Sequence, residues 1–414
     1  MGRRILHIDF NGFFASVECF FHPEIRPFPV AVTGDPEKRH GIVLAKNQLA
    51  KKFGVKTGEA IWEAKQKCPK LVCVPPHYDQ YVRFSQLGRE LYHEYSDLIE
   101  PFGLDENWVD VTGRTRNFQD AIDLANEIRE RVHAEIGITV SVGVADNKVF
   151  AKLGSDLKKP DAVSTVLPGN FREVAWRLPV GELLMVGPAT NRRLNQYGIL
   201  TIGDLAQTDP TFLQTQFGKA GITLYRFANG MDSSPVLPYG YKTPVKSVGN
   251  GITAPRDLVS NDDVRLTVLM LSESVSRRLR EHGFRANVIS LAVRDCGLFS
   301  FVRQKHLSAP TFLTDEILDT SMELFTQNYD WQRPIRSLTV TASELWPINR
   351  PMQLNLFGEE EHRKRRETAE RAIDGIRNRF GYHAVLRGRL LTDQTIGVMN
   401  PCEEHVSHPV GYRA

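Results

Sequence analysis

Two adjacent carboxylates, Asp105 and Glu106, stand in the stretch Phe102-Gly-Leu-Asp-Glu-Asn-Trp-Val-Asp-Val-Thr112, just ahead of a short apolar run. A second stretch, His7-Ile-Asp-Phe-Asn-Gly-Phe-Phe14, places Asp9 at the end of another apolar run. Short apolar runs of this kind are typical of buried β-strands. If the two strands are neighbours, the three carboxylates converge at one point of a sheet.

Converging carboxylates predict a site for hard cations. Crowded carboxylates repel one another unless cations neutralise them, and oxygen ligands suit Mg²⁺. Two such ions about 3.5–4 Å apart are the common centre of phosphoryl and nucleotidyl transfer. Asp9, Asp105 and Glu106 are therefore candidate metal ligands and catalytic residues. The alternative is a set of solvated acids at strand ends, which is the commoner interpretation of a single Asp-Glu pair.

The composition is that of a soluble globular protein with several domains. The chain has 414 residues, of which 41% are hydrophobic and 24% charged, and this length allows roughly two to four domains. Its five cysteines are scattered, so we expect them to be reduced in a cytoplasmic protein. The sequence has neither an apolar signal region nor a stretch as long as a membrane span, so no membrane association is expected.

Mixed strands and helices over residues 1–165 predict an α+β catalytic core. Alternation over Ile138–Val144 predicts a half-buried strand, and helical spacing runs from Phe118 to Glu135. A smaller insertion lies between Asn11 and His77 and ends in a turn-rich segment.

From residue 167 the sequence becomes helical. The segments Leu183–Ala189, Arg192–Gly198 and Thr201–Leu205 predict a helix, a glycine-bearing hairpin and a second helix. Such a helix-hairpin-helix binds DNA phosphates through hairpin amides and a helix N-terminus. Tandem glycines normally form the hairpin, but Gly187 is followed by Pro188, so a plain helical connection is an equal alternative.

A linker rich in Pro, Gly and Tyr, residues 235–244, precedes a unit with the order β-α-β-β-α-β. The predicted strands are Val245–Thr253, Ala286–Asp295, Leu298–His306 and Ile335–Leu345, with helices over 262–281 and 312–327. After these elements the sequence predicts one charged helix, Glu359 to Phe380, which is either a solvated arm or a docking element.

The β-α-β-β-α-β unit is basic. Between Lys246 and Lys305 there are ten Lys and Arg residues against six Asp and Glu residues, a net charge of +4. Three of these bases, Arg277, Arg278 and Arg280, share one predicted helix. A charge run usually means a solvated face. A basic sheet domain beside a catalytic core favours a surface for the phosphate backbone.

Several motifs in chain order resemble those of Y-family translesion DNA polymerases, of the bacterial DNA polymerase IV and UmuC-like group. They are His7–Glu18, Lys51–Gly58, Leu104–Glu106, Ser141–Val144, Asn147–Lys152 and Lys158–Pro160. The segment Lys246–Gly251 is similar to the start of the family's little finger domain.

The resemblance implies a multidomain α+β right hand. The implied domains are a palm with a mixed sheet (1–10 and 78–166), small fingers (11–77), a helical thumb with a helix-hairpin-helix (167–234), the linker (235–244), a β-α-β-β-α-β little finger (245–348) and a C-terminal tail (349–414).

The resemblance also implies an activity and its requirements. The expected enzyme is a low-fidelity, template-directed DNA polymerase that bypasses lesions in the DNA damage (SOS) response, acting as a monomer on primer-template DNA and dNTP. Two Mg²⁺ ions, with Mn²⁺ as a possible substitute, would be held by Asp9, Asp105, Glu106 and the carbonyl of Phe10.

The nucleotide site follows the family in part. Phe14 matches the steric gate that excludes a ribose 2′-hydroxyl, beside Phe13, and core packing is the alternative because one of the two must face inward. Lys159 matches the family's lysine on the triphosphate. The positions that carry Thr, Tyr and Arg in many relatives are Ala45, Gln48 and Lys51 here, with Lys46 as a compensating cation, and a common family Asp is Asn11.

The segment Gln353-Leu-Asn-Leu-Phe357 resembles the pentapeptide that binds the bacterial sliding clamp. Gln353, Leu354, Leu356 and Phe357 are its expected clamp-binding residues. Exposed apolar anchors of this type typically insert into a partner's pocket. The alternative is a hydrophobic clip against the little finger.

Two other functions remain open at this point. A non-catalytic family member could act as a clamp-bound adaptor in mutagenesis, but such members typically lose the acidic triad that this chain keeps. A palm-domain nucleotidyl cyclase would use similar carboxylates, but it explains neither a helical thumb nor a basic little finger.

Overall fold

The computed structural model describes residues 2–35, 41–351, 359–397 and 399–400, and for Glu359 and Glu360 only the backbone. The chain divides into two units, with the boundary between Lys242 and Thr243, inside the expected linker. None of the helices in the described ranges is long and apolar enough to cross a membrane.

The first unit contains most of the elements of the chain. In chain order they are β1 (Ile5–Phe10), α1 (Phe13–Phe21), β2 (Val30–Thr33), β3 (Val43–Lys46), α2 (Gln48–Lys52), α3 (Ile61–Lys67), β4 (Val72–Val74), α4 (Tyr78–His93), β5 (Ile99–Phe102), β6 (Glu106–Asp110), α5 (Phe118–Arg131), β7 (Val140–Ala145), α6 (Lys148–Leu157), β8 (Val163–Val166), α7 (Phe171–Val174), α8 (Pro188–Gln196), α9 (Ile202–Gln207), α10 (Pro210–Phe217) and α11 (Lys219–Ala228). Short helical turns of other types cover Pro23–Ile25, Val132–Ile136 and Val180–Glu182.

The central sheet has the strand order β5-β6-β1-β7-β8. Strand β1 lies in its middle and pairs antiparallel with both β6 and β7. This pairing confirms the expected neighbourhood of the two acid-bearing strands. Because side chains alternate along a strand, Leu6, Ile8 and Phe10 enter one core while His7 and Asp9 point to the opposite face.

Helix α6 packs directly on β7 because a glycine leaves room for it. A Cβ atom on Gly143 would lie 1.9 Å from the carbonyl oxygen of Ala151 and 2.4 Å from the amide nitrogen of Ser155. No side chain fits in that space. The close approach brings the middle of α6 over the acid-bearing end of the sheet.

A separate three-stranded sheet, β3-β2-β4, lies in the segment between β1 and α4. It has its own small core, made of Ala31, Val43, Ala50, Val55, Ala64, Cys68 and Leu71. Helix α1 belongs instead with the central sheet, because Phe13 and Val17 are buried in the core beneath that sheet.

The helical segment differs from the prediction at its start. The predicted helix over Leu183–Ala189 is wrong, since the chain makes a short turn at Val180–Glu182 and α8 begins at Pro188. Proline is favoured at the first helical position and disfavours helical geometry in the residue before it. Met185 also has a positive φ of 72°, which no helix accommodates. The hairpin between α8 and α9 turns at Gly198, whose φ is 76°.

The second unit contains β9 (Ser247–Leu258), α12 (Asn261–Glu281), β10 (Phe284–Asp295), β11 (Ser300–Thr311), α13 (Thr314–Asn328), β12 (Ile335–Pro347) and α14 (Glu359–Phe380). Up to β12 this is the predicted β-α-β-β-α-β order. The four strands form an antiparallel sheet with the order β11-β10-β12-β9. Helices α12 and α13 bury their apolar faces against it.

The charged helix α14 is a docking element. Glu273 of α12 is 4% exposed and receives hydrogen bonds from Arg377 at 3.2 Å, from Arg387 at 3.0 Å and from the Tyr382 hydroxyl at 3.0 Å. Beyond α14, Leu390 and Ile396 enter the same core as α12. The segment after β12 therefore completes this unit in the described ranges.

Replacing Glu273 by Ala is expected to destabilise the second unit by about 3–5 kcal/mol, because Arg377 is left buried without its partner. Replacing Glu281, whose pair with Arg277 lies at the surface, should cost at most about 1 kcal/mol. Hydrogen exchange of the α12 amides in the full chain measures both changes. Equal protection in the two variants would contradict the assignment of Glu273 as the buried anchor.

Candidate active site

The acidic residues meet at the ends of β1 and β6. Asp9 lies directly opposite Glu106 in the antiparallel register. Gly103, with a φ of 92°, turns the chain between β5 and β6. The Phe10 amide donates to the Asp105 carbonyl oxygen at 3.1 Å, which fixes that turn against β1. The structure thus brings the three expected ligands to one end of the sheet, where β1 ends and β6 begins.

Two lysines hold these carboxylates. Lys159 Nζ lies 2.6 Å from Asp9 Oδ2 and 2.7 Å from Asp156 Oδ1. Lys152 Nζ, on α6, lies 2.6 Å from Glu106 Oε2. Sequence reasoning named Lys159 but gave Lys152 no role. The only signal for it was its place in the motif that forms α6, because the contact depends on how that helix packs.

Burial and mutual repulsion make the site costly to ionise fully. Burial raises the pKa of Asp9 to about 6, against the opposing charge of Lys159. Burial, followed by the charges of Asp9 and Glu106, raises the pKa of Asp105 to about 7. Crowded carboxylates whose pKa values are raised in this way form a site that favours added positive charge.

A buried histidine lies behind the acids. Burial, followed by the charge of Lys152, lowers the pKa of His7 to about 3, so the ring is neutral. Its Nδ1 lies 2.8 Å from the Ser155 hydroxyl oxygen. Its Nε2 is 3.5 Å from Glu106 Oε2 and has no hydrogen-bond partner among the described residues. A buried polar nitrogen is therefore directed at the carboxylate site.

The donor set fits a hard divalent cation. Three carboxylates lie close together at one end of the sheet, and Mg²⁺ prefers hard oxygen donors of this kind. Within the described ranges no three acidic, His or Cys side chains are yet close enough to enclose an ion. In this state Lys159 pairs with Asp9 and Lys152 pairs with Glu106.

The two phenylalanines after β1 differ in position, with Phe13 in the core and Phe14 at the surface. Phe13 is 3% exposed and stacks on Phe10 with ring centroids 5.1 Å apart. Phe14 is half-buried and stacks on Tyr81 at 4.1 Å, with the rings only 9° from parallel. The inward-facing member of the pair is therefore Phe13, and Phe14 keeps an accessible side.

The small sheet places three polar residues at the ends of β3 and α2. Lys46 ends β3 and its Nζ lies 3.1 Å from the Thr57 hydroxyl oxygen. Burial, with the charge of Lys51 as the next cause, lowers the pKa of Lys46. Gln48 starts α2 and Lys51 is exposed on it. All three lie on elements of the expected fingers.

Asn11 contacts β7 and the residue before it. Its side-chain amide lies 2.8 Å from the Ser141 hydroxyl oxygen and 3.1 Å from the Thr139 hydroxyl oxygen.

The expected DNA-binding residues are placed in different ways. Gly187 precedes α8 and is exposed, and Lys246 is exposed just before β9. Arg280 is instead buried against α14, where its guanidinium pairs with Asp374 at 2.5 Å and 2.9 Å. Arg277 bonds Glu281 and Asn378, and Arg278 donates to the Gly249 carbonyl oxygen at 2.9 Å. Arg280 is therefore not available to phosphates in this arrangement.

The clamp-binding candidates, Gln353, Leu354, Leu356 and Phe357, lie outside the described residues.

Family models match the chain in three places. A model of the impB/mucB/samB family matches residues 8–156, and a model of that family's C-terminal domain matches residues 245–356. A model described as the thumb domain of DNA polymerase-iota matches residues 182–232. Together these models match more than half of the chain.

Similar proteins extend over nearly the whole chain. DNA polymerase IV of Acetivibrio thermocellus is 49% identical over 95% of this chain and 99% of the relative. DNA polymerase IV 2 of Bacillus subtilis is 36% identical over 94% of each. The solved Y-family DNA polymerase chimera Dbh-Dpo4(243-245)-Dbh matches with a TM-score of 0.73 and 26% identity, over 83% of this chain and 99% of that one.

These matches define the class of the protein. The fold is that of a Y-family DNA polymerase, and the chain belongs to the impB/mucB/samB family. Within that family, its curated relatives include several bacterial proteins named DNA polymerase IV.

The raised carboxyl pKa values predict a pH-dependent stability in the absence of metal. In the folded chain the pKa values of Asp9 and Asp105 lie above the ordinary 3.8, so folding favours the protonated groups. Their contribution to stability is present at low pH and is lost as pH rises toward about 7. The Asp105→Asn variant in a chelator should therefore be more stable than the wild type near pH 8, and this gain should shrink toward pH 4.

Hydrogen exchange of the β1 amides at several pH values measures the effect. The matched control is Asp97→Asn, which makes the same change at a side chain that is 94% exposed. If the stability gained by Asp105→Asn is constant with pH, or grows toward low pH, the conclusion that the pKa of Asp105 is raised would be wrong.

Proposed function

We propose that this chain is a template-directed DNA polymerase of the translesion type. It transfers a nucleotidyl group from a dNTP to a primer 3′-hydroxyl, with low fidelity, and acts at lesions in the bacterial cytoplasm. The observation that carries the proposal is the strand register. It sets Asp9 opposite Glu106, and Asp105 precedes Glu106 at the same end of the sheet. Family membership supports the same activity.

Asp9, Asp105 and Glu106 are the residues that would hold two Mg²⁺ ions, together with the Phe10 carbonyl, and Mn²⁺ is a possible substitute. When bound, such ions activate the primer hydroxyl and stabilise the pyrophosphate as it leaves. The fixed register of β1 and β6 holds the carboxylates in place before the substrate arrives. This preorganisation limits the cost of reorganising the site during the reaction.

The two lysines of the site would have different duties. Lys159 lies in the loop after α6 and holds Asp9 and Asp156 in the free chain. A lysine is a compact and flexible cation, so Lys159 can turn from Asp9 to the triphosphate once Asp9 is otherwise neutralised. Lys152 is anchored on α6 and stays with Glu106.

The fingers would grip the triphosphate weakly. Ala45 and Gln48 bring no charge, and Lys51 cannot form the two parallel hydrogen bonds that an arginine gives. Lys46, at the end of β3, would supply a second cation. We expect a high KM for dNTP as a result.

DNA would be held by the thumb hairpin and the outer face of the second sheet. That face is lined by small and polar residues, since Gly251 lies opposite Thr339 and Gly249 opposite Thr341. A Cβ atom on Gly251 would lie 2.2 Å from Thr339 Oγ1, so the glycine keeps this face flat. Lys246 lies exposed at its start and is suited to a phosphate contact.

The segment 353–357 is proposed to bind the sliding clamp, on its sequence alone. Replacing Leu356 and Phe357 by Ala should then remove stimulation by the clamp and spare unassisted synthesis. If the clamp still stimulates synthesis by this variant, the segment has a structural role instead.

Primer extension on an undamaged template with Mg²⁺ and dNTP tests the central activity. Asp105→Ala should lower the rate by at least about a thousandfold, which equals about 4 kcal/mol of lost transition-state stabilisation, while DNA binding is retained. Asp97→Ala, at an exposed position, is the control and should extend normally. Tight primer-template binding without extension by the wild type would favour the clamp-bound adaptor instead.

Phe14→Ala should relax sugar selection, because removal of the ring that stacks on Tyr81 opens the space beside the incoming sugar. We expect ribonucleotide incorporation to rise by at least about tenfold, equal to about 1.4 kcal/mol. The measurement compares kcat/KM for a dNTP with that for the matching ribonucleotide. Phe13→Leu, at the buried neighbour, should leave the ratio unchanged, and an unchanged ratio in Phe14→Ala would place the gate elsewhere.

A further inference from the structure

The acidic and basic side chains of helix α14 are distributed unequally between its packed side and its exposed side. The inner acids are all paired with arginines of the same unit. Glu367 bonds Arg285 at 3.0 Å, Glu370 bonds Arg387 at 2.6 Å, and Asp374 bonds Arg280. The helix is almost balanced in sequence, with seven bases and six acids over 359–380. Among the acids whose side chains the structure describes, packing hides Glu367, Glu370 and Asp374, while Glu361 near the start of the helix stays exposed, so the exposed side keeps a surplus of positive charge.

Four exposed cations lie along one side of this helix. They are Lys364, Arg365, Arg371 and Arg379, all exposed. With 3.6 residues per turn, or about 100° per residue, the four lie within an arc of about 120°. Arg371 lies over the Phe312 ring at 5.5 Å and Arg379 over Phe380 at 5.1 Å, contacts that orient a guanidinium without neutralising it. Among the described residues none of the four is in an ion pair.

The middle of this arc is made of small residues. Thr368, Ala372 and Gly375 lie between the cations and are exposed. Along the axis Lys364 and Arg371 are about 10 Å apart and Arg371 and Arg379 about 12 Å, from the rise of 1.5 Å per residue. A long partner can therefore lie close to the helix and meet cations on both sides.

We propose that this outer face of α14 (Lys364, Arg365, Arg371 and Arg379) binds the sugar-phosphate backbone of DNA. Helix α14 packs on α12 and α13, the helices that cover one face of the sheet, so the contact is separate from the outer sheet face. Duplex DNA carries one negative charge per about 1.7 Å of its axis, so several phosphates lie within the length of the arc. Such a contact is independent of base sequence.

A protein partner fits this face less well. Protein interfaces depend on central aromatic or large apolar anchors. On α14 the exposed Ile376 and Phe380 lie at one edge of the arc, while its centre holds only small side chains. A solvated helix face normally mixes both signs of charge, and here the acids from Glu367 onward are turned inward.

Equilibrium binding of the full chain to a duplex without a primer terminus, over a series of salt concentrations, tests the proposal. The variant replaces Lys364, Arg365, Arg371 and Arg379 together by Gln. The slope of log Kd against log salt should fall by about 2 to 4, because each lost phosphate contact lowers it by about 0.9. Affinity at low salt should fall at least about tenfold.

A matched control removes four exposed cations from the first unit: Lys65, Lys70, Arg83 and Arg116, each to Gln. An unchanged slope in the α14 variant, or an equal fall in the control, would overturn the proposal. A variant that exchanges Lys and Arg at the four α14 positions keeps the charge and should keep the slope, which separates charge from folding. The assay involves no catalysis, so its result is independent of the primer-extension test.

Discussion

The antiparallel ladder between β1 and β6 is the constraint on which the active site depends. It sets Asp9 opposite Glu106, and the bond from the Phe10 amide to the Asp105 carbonyl fixes the adjoining turn. Side chains alternate between the two faces of a strand, so a slip of one residue would turn Asp9 into the apolar core that holds Ile8. The same register therefore serves both the stability of the core and the placement of the carboxylates.

The packing of α6 is the second requirement, because it supplies charge to a site that cannot otherwise be buried. Gly143 lets α6 approach β7, and this approach puts Lys152 on Glu106. Lys159, just after the helix, does the same for Asp9. Buried carboxylates without partners would be protonated or would destabilise the fold. Lys159 and Lys152 thus compensate part of the buried negative charge of the site in the free chain.

Local patterns in the sequence predicted the parts that depend on periodicity, and tertiary packing decided the rest. Short apolar runs located β1 and β6, alternation located β7 and helical spacing located α5, and the order of the β-α-β-β-α-β unit up to β12 was also predicted, because each pattern is complete within its own segment. Carboxylates at the ends of two apolar runs supplied the candidate ligands, and the motifs shared with the family imply the same residues. Nothing in the local sequence separated Arg280, which is buried by Asp374, from an arginine free to meet DNA. The burial of Leu390 and Ile396 was missed for the same reason, since their contacts lie on α12 and its sheet.

The central claim is that Asp9, Asp105 and Glu106 together hold two divalent cations for nucleotidyl transfer. Anomalous X-ray scattering from Mn²⁺, in crystals with primer-template DNA and a non-hydrolysable dNTP, tests it most directly. The account predicts two peaks about 3.5–4 Å apart, both within ligand distance of these carboxylates. A single peak, or none at these residues while DNA and nucleotide are bound, would contradict it.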